Sequence, residues 1–227
     1  MGSVGSVIVS LLPLIIGAAV VPLWIIMVLF LLRGEGGLGK AIGFAAGITA
    51  VRLVQGVLFG YIFNAAAESS GESGGNLIVS TLLLVIGILM LITAYKQWRK
   101  EDDPDAPPPK WMAMISGLSV AKAFGLGALL VAIAAKQWVF TLSAIGIIAE
   151  APLSQAENVI AFLIYALAAA SFVLAPTIVH AVAPKQSAKT LAAAQEWLAQ
   201  HNRQIVIAVS LIFGMYFVFR SVAGLTG

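Results

Sequence analysis

No charged side chain precedes Arg33, and the run from Val7 to Leu32 ahead of it is apolar almost throughout. A helix needs about 20 such residues to cross roughly 30 Å of hydrocarbon, and in lipid only a structure that bonds its own backbone can make the crossing. Five more runs of that kind follow, at about Ala41–Ala65, Asn76–Tyr95, Gly117–Ile148, Asn158–Ala183 and Gln204–Leu225. Soluble domains are about 45–50% apolar and about 25% charged; here the figures are 60% and 10%, with a mean hydropathy of +1.00. A cytosolic enzyme, a disordered chain and a nucleic-acid binder are thereby excluded. The first run lacks the basic start, short apolar core and small-residue cleavage site of a signal peptide, so it is expected to be a retained span. The fold class expected is all-α integral membrane, with six spans.

Polar residues divide the runs into two sets of three. Residues 1–95 hold the first set and 117–227 the second, joined by a linker at 96–116 that carries most of the polar sequence and the triplet Pro107, Pro108 and Pro109. Such a triplet favours extended polyproline backbone. Residues 186–200 set Leu191, Trp197 and Leu198 against Lys189 and Glu196, a pattern that suits a short interfacial helix or an extension of the sixth span. Loop cations fix the orientation. Arg33 and Lys40, then Lys96, Arg99, Lys100, Lys110 and Lys122, then Lys185, Lys189 and Arg203 fall in loops one, three and five, whereas loops two and four carry only Glu68, Glu72, Glu150 and Glu157. Both termini and the even loops are therefore expected outside, with the linker in the cytoplasm. Three spans per set means that the sets enter the membrane in opposite senses, as in an inverted repeat. Pro22 and Ala135, 113 positions apart, mark expected helix breaks in the first and fourth spans, and Pro176 marks one in the fifth.

Charge at bilayer depth costs about 2.5–3.5 kcal/mol even on the most lenient scale. Arg52 and Lys136 stand near the centres of the second and fourth spans, and all 10 acidic residues fall in loops or at span ends. Two like charges without a carboxylate point to a shared anion site. Gln55 stands one turn from Arg52, and Gln137 and Trp138 follow Lys136, so these five would line a cavity for phosphate, sulfate or carboxylate. The competing reading has the two cations bond to carbonyls freed at the breaks. His180 is a candidate for proton coupling and equally a helix-end residue. With 0 Cys and no acid at depth, no metal site is expected, and a cation exporter is disfavoured. No phosphate loop, zinc motif or nucleophile elbow occurs, so neither enzyme activity nor a cofactor is expected.

Several stretches carry a family resemblance. They are LeuProLeuIleIleGlyAlaAlaValValProLeuTrp in the first span, GlyPheAlaAlaGly in the second, AlaLysGlnTrpValPhe in the fourth, and GlnGluTrpLeuAlaGlnHisAsnArg leading into the sixth. Together they resemble the GAP or Sap (sulfolipid-addressing) family of the lysine exporter (LysE) superfamily. Ala18, Ala19 and Pro22 match the family's first-span pattern. Its fourth-span Asn-Pro-Lys is matched only at Lys136, with Ala134 and Ala135 in the other two places. The resemblance implies a six-helix bacterial inner-membrane protein built of inverted repeats, whose relatives take part in moving glycolipids or lipopeptides to the cell surface. The function expected is export of an anionic amphiphile, a lipid or lipid-linked envelope component. The alternatives are an amino-acid or small-solute exporter and a non-transporting scaffold for envelope-lipid assembly. Partners expected are membrane lipids, an anionic lipid or small anionic solute, and either further copies of the chain or envelope-synthesis proteins.

Overall fold

The computed structural model describes residues 3–100, 115 and 117–226, without the side chains of 64–76 and Thr226. The described residues form helices α1 (Val4–Ala19), α2 (Pro22–Arg33), α3 (Gly37–Arg99), α4 (Val120–Ile133), α5 (Ala135–Glu150), α6 (Gln155–Ala169), α7 (Ser171–Val182) and α8 (Pro184–Thr226). Local sequence sets several of the ends. The Ser3 and Ser119 hydroxyls accept from the first-turn N–H groups of Ser6 and Lys122, and Ser154 with Glu157 forms a reciprocal capping box at α6. Gly36 joins α2 to α3 at φ +63°, backbone that side-chain-bearing residues rarely adopt.

Gly37–Phe63, Leu77–Arg99 and Pro184–Leu225 are long and apolar enough to cross a membrane singly. Three bent pairs qualify jointly, α1 with α2 at 62°, α4 with α5 at 75°, and α6 with α7 at 67°, so the described residues hold three candidate spans, or up to six where each bent pair is one span. The first two breaks fall next to Pro22 and Ala135. The third corrects the expectation for Pro176. The chain bends at Ala170, and Pro176 lies inside α7, where its missing N–H removes one backbone bond without ending the helix. The stretch 186–200 is the N-terminal part of α8 and not a separate interfacial helix. The linker falls largely on residues 101–114 and 116, outside what is described, whereas the outer loop expected around Glu68 and Glu72 is corrected: the backbone of 64–76 is helical, within α3.

The two apolar stretches of α3 lie side by side. Phe63 and Val79 both abut Gly146, whereas a straight helix would hold them about 24 Å apart. Gly37–Phe63 runs parallel to α4: Gly43 meets Val120, Gly47 meets Phe124 and Ala128, and Gly127 meets the Phe44 carbonyl. Leu77–Arg99 runs antiparallel to α8, where Gly87 faces Gly214 and the Ser221 hydroxyl donates to the Ser80 carbonyl at 2.7 Å. Arg203 closes that pair, donating to the Gln97 and Trp98 carbonyls at 2.8 Å each. Lipid tails are as apolar as leucine, so close backbone approach and such bonds hold the helices together.

The bends divide the interior into two apolar clusters. One joins Leu11 and Leu14 of α1, Ile86 of α3, Phe140 of α5, Tyr165 of α6 and Phe217 of α8. The other joins Val28 of α2, Phe44 and Ile48 of α3, Ala123 and Val131 of α4 and Val173 of α7. Each bent pair gives one helix to each cluster, and the breaks lie between them.

Candidate functional site

The break between α1 and α2 exposes a carbonyl. In a continuous helix the Ala18 oxygen would accept from residue 22, but Pro22 has no N–H to give. Ala18 is fully buried, so its oxygen needs another donor. Gln137 Nε2 donates to it at 3.2 Å and Arg52 Nη2 at 3.5 Å, and the same Nη2 donates to Gln137 Oε1 at 2.9 Å. Gln137 stands in the first turn of α5, just past the second break. Arg52, 0% exposed, thus ties the α1–α2 break to the α4–α5 break.

Its guanidinium is only partly used. Arg52 Nε and Nη1 have no hydrogen-bond partner, and neither have the amide atoms of Gln55, while the Thr141 and Tyr165 hydroxyls have no partner beyond each other. Tyr165 lies beside Thr141 and within electrostatic reach of Arg52. All four residues are buried. Thr141, Tyr165 and the Ala18 carbonyl are site groups that the sequence reading missed. Two signals for them exist: Thr141 follows Gln137 by one helical turn, and Tyr165 follows Arg52 by the same 113 positions that separate Pro22 from Ala135.

Lys136 is half-buried and lines a cavity of about 160 Å³ with Val20, Pro22, Trp24, Gln137 and Ser210. Arg52 is not in that lining, so the expected single cavity shared by both cations is corrected. Arg52 reaches the Ala18 carbonyl with one of its nitrogens, and Lys136 lines the cavity. Gln137 touches both environments. Gln55 lines no cavity described. Trp138 is turned to another task, its indole N–H donating to the Ala132 carbonyl at 2.7 Å and so capping the end of α4. Its ring stands edge-on to Phe59. His180 lies in the last turn of α7, away from both the Arg52 cluster and the Lys136 cavity.

A second cavity, of about 460 Å³, runs between α3, α5 and α6. Leu53, Gly56, Val57, Ile145, Phe162 and Leu163 give it apolar walls, while Tyr61, Gln155 and Asn158 supply polar groups. Val57 and Tyr61 are 75% and 79% exposed, so the groove opens sideways onto the surface that meets lipid. Gly60 leaves open space there.

A family model described as Sap, sulfolipid-1-addressing protein, matches residues 11–223. The chain belongs to that family. The match runs from α1 into α8, so the breaks, the Arg52 cluster, the Lys136 cavity and the lateral groove all lie inside the Sap region. No curated protein and no solved structure matches the chain.

Proposed function

We propose that this Sap-family protein moves an anionic amphiphile across the bacterial inner membrane. Lys136 holds the head group, and the acyl part stays in the lateral groove or the surrounding lipid. The observation that carries the reading is the position of Lys136. It stands at the second residue of α5, where the first backbone N–H groups of a helix have no internal acceptor and the macrodipole is positive, and it faces a cavity bounded by the other break. Fixed charge and free donors at a helix break between apolar clusters are the combination that binds anions in transporters with discontinuous helices. About 160 Å³ is room for a head group and not for its chains, and the sideways opening of the groove favours a lipid over a water-borne solute. The family description names a sulfolipid, a lipid with a sulfur-bearing acidic group, which agrees with an anionic amphiphile.

The mechanism follows from the two clusters. The spans form two inverted sets of three that rock against each other about the breaks, exposing the Lys136 cavity to one side and then the other. The support is the pairing of a broken first span with a broken fourth span and the parallel packing of the second span on α4. Both termini lie outside the cytoplasm.

Flip assays in proteoliposomes test the proposal. A tail-labelled sulfated glycolipid should equilibrate between leaflets at least about 10-fold faster with the protein than without it, and a zwitterionic lipid should not. Lys136→Gln should remove the acceleration. Equal flipping of sulfated and zwitterionic lipid, or full activity of Lys136→Gln, would sink the reading.

A further inference from the structure

The unpartnered polar atoms around Arg52 form a group. Six of them, from Arg52, Gln55, Thr141 and Tyr165, are fully enclosed, and apart from the Tyr165 and Thr141 hydroxyls, which interact with each other, none meets a partner in the protein. A lone buried hydroxyl is tolerable, but a cluster including a guanidinium carries the full desolvation cost of every unmet group. Buried polar groups that find no protein partner are ordinarily met by water or a bound ion. Five of the six atoms, Arg52 Nε and Nη1, Gln55 Nε2 and the Thr141 and Tyr165 oxygens, carry hydrogens to give, and only Gln55 Oε1 is an acceptor alone. No carboxylate bonds to Arg52 among the described residues, so the enclosure holds an uncompensated positive charge. Donor-rich and positive, it selects an anion over a cation.

The cluster adjoins residues of both cavities, Gln137 on one side and Phe162, whose ring lies against Tyr165, on the other. Gln137 lines the Lys136 cavity and accepts from Arg52. Asn158 lines the lateral groove, its own buried side-chain oxygen is without a partner, and it lies two turns before Tyr165 on one face of α6. We infer that Arg52, Gln55, Thr141 and Tyr165 enclose a hydrated site for an oxyanion, lying between the Lys136 cavity and the lateral groove. The oxyanion is a lipid head group or a free ion of the same chemistry. The inference goes beyond lipid movement and does not need it, since site and transport are read by separate assays.

The sequence contains no cysteine, so single thiols report water access directly. Thr141→Cys is made in phosphatidylcholine nanodiscs, with Gln55→Cys as a second reporter should the first misfold. Val28→Cys, at a fully buried position in an apolar cluster, is the dry control. Each is treated with a methanethiosulfonate bearing a sulfonate and with one of similar size bearing a trimethylammonium group. The reporter thiols should react at least about 10-fold faster than the control, with the sulfonate reagent ahead by about 10-fold or more, because a fixed charge within a few ångströms biases the local concentration strongly. Adding Arg52→Gln should abolish that bias. Protection by sulfate, against chloride at equal ionic strength, assigns the site to a free oxyanion. Protection only when phosphatidylglycerol replaces phosphatidylcholine assigns it to a head group. Reporters as inert as Val28→Cys, a bias that survives Arg52→Gln, or protection by neither sulfate nor phosphatidylglycerol would each overturn the inference.

Discussion

Removing Gln137 should be costlier than removing the charge it contacts. Gln137→Leu deletes the 2.9 Å acceptor of Arg52 and the 3.2 Å donor to Ala18, leaving the guanidinium only its 3.5 Å contact with the Ala18 carbonyl. A bond to a charged group contributes about 1.5–3 kcal/mol and a neutral one about 0.5–1.5, so the loss should be about 2–4 kcal/mol. Arg52→Met loses the same charged bond and strands Gln137 Oε1, but it also removes a buried charge that no carboxylate compensates among the described residues, which recovers several kcal/mol. The net change should stay within about 1 kcal/mol of the parent. In the double variant no charge remains to be stranded, so its destabilisation should fall short of the sum of the single effects by at least about 1 kcal/mol. Equilibrium unfolding in mixed micelles, followed by near-ultraviolet circular dichroism on all four proteins, measures the cycle. Additive effects, or a Gln137→Leu protein as stable as the parent, would refute the claim that Gln137 and Arg52 act as one unit on the Ala18 carbonyl.

Two further outcomes follow from packing and charge. A Cβ at Gly47 would run into the Phe124 carbonyl, whereas one at Gly60 meets nothing within 4 Å; Gly47→Ala should therefore cost about 1–3 kcal/mol, and Gly60→Ala should gain up to about 1 kcal/mol from helix propensity, both read by the same unfolding assay. For topology, an impermeant thiol reagent applied to intact cells should label Ser154→Cys, in the turn before α6, and leave Lys189→Cys untouched until the membrane is opened; the reverse pattern would invert the orientation.

Membrane residence and helical class were legible without coordinates, because the cost of unpaired backbone in lipid admits few structures and a charge-free run of some 20 residues has few other uses. Family membership was equally legible, since it rests on patterns spread along the whole chain. The break at Pro22 could be read because a missing N–H is a covalent fact. The break at Ala170 could not: no proline or glycine marks it, and the proline that drew attention, Pro176, is absorbed in the first turns of α7.

The sequence by itself determined that Arg52 and Lys136 are deep, positive and without a carboxylate at their own depth. Only the tertiary structure decided that they do different things. Which carbonyl a guanidinium reaches depends on how α1, α3 and α5 cross, and helical periodicity sets a side chain's direction about its own axis without setting the neighbour it meets. Arg52 turned toward the oxygen that Pro22 left free, and Lys136, one residue before Gln137 and so about 100° around α5, was left facing the cavity.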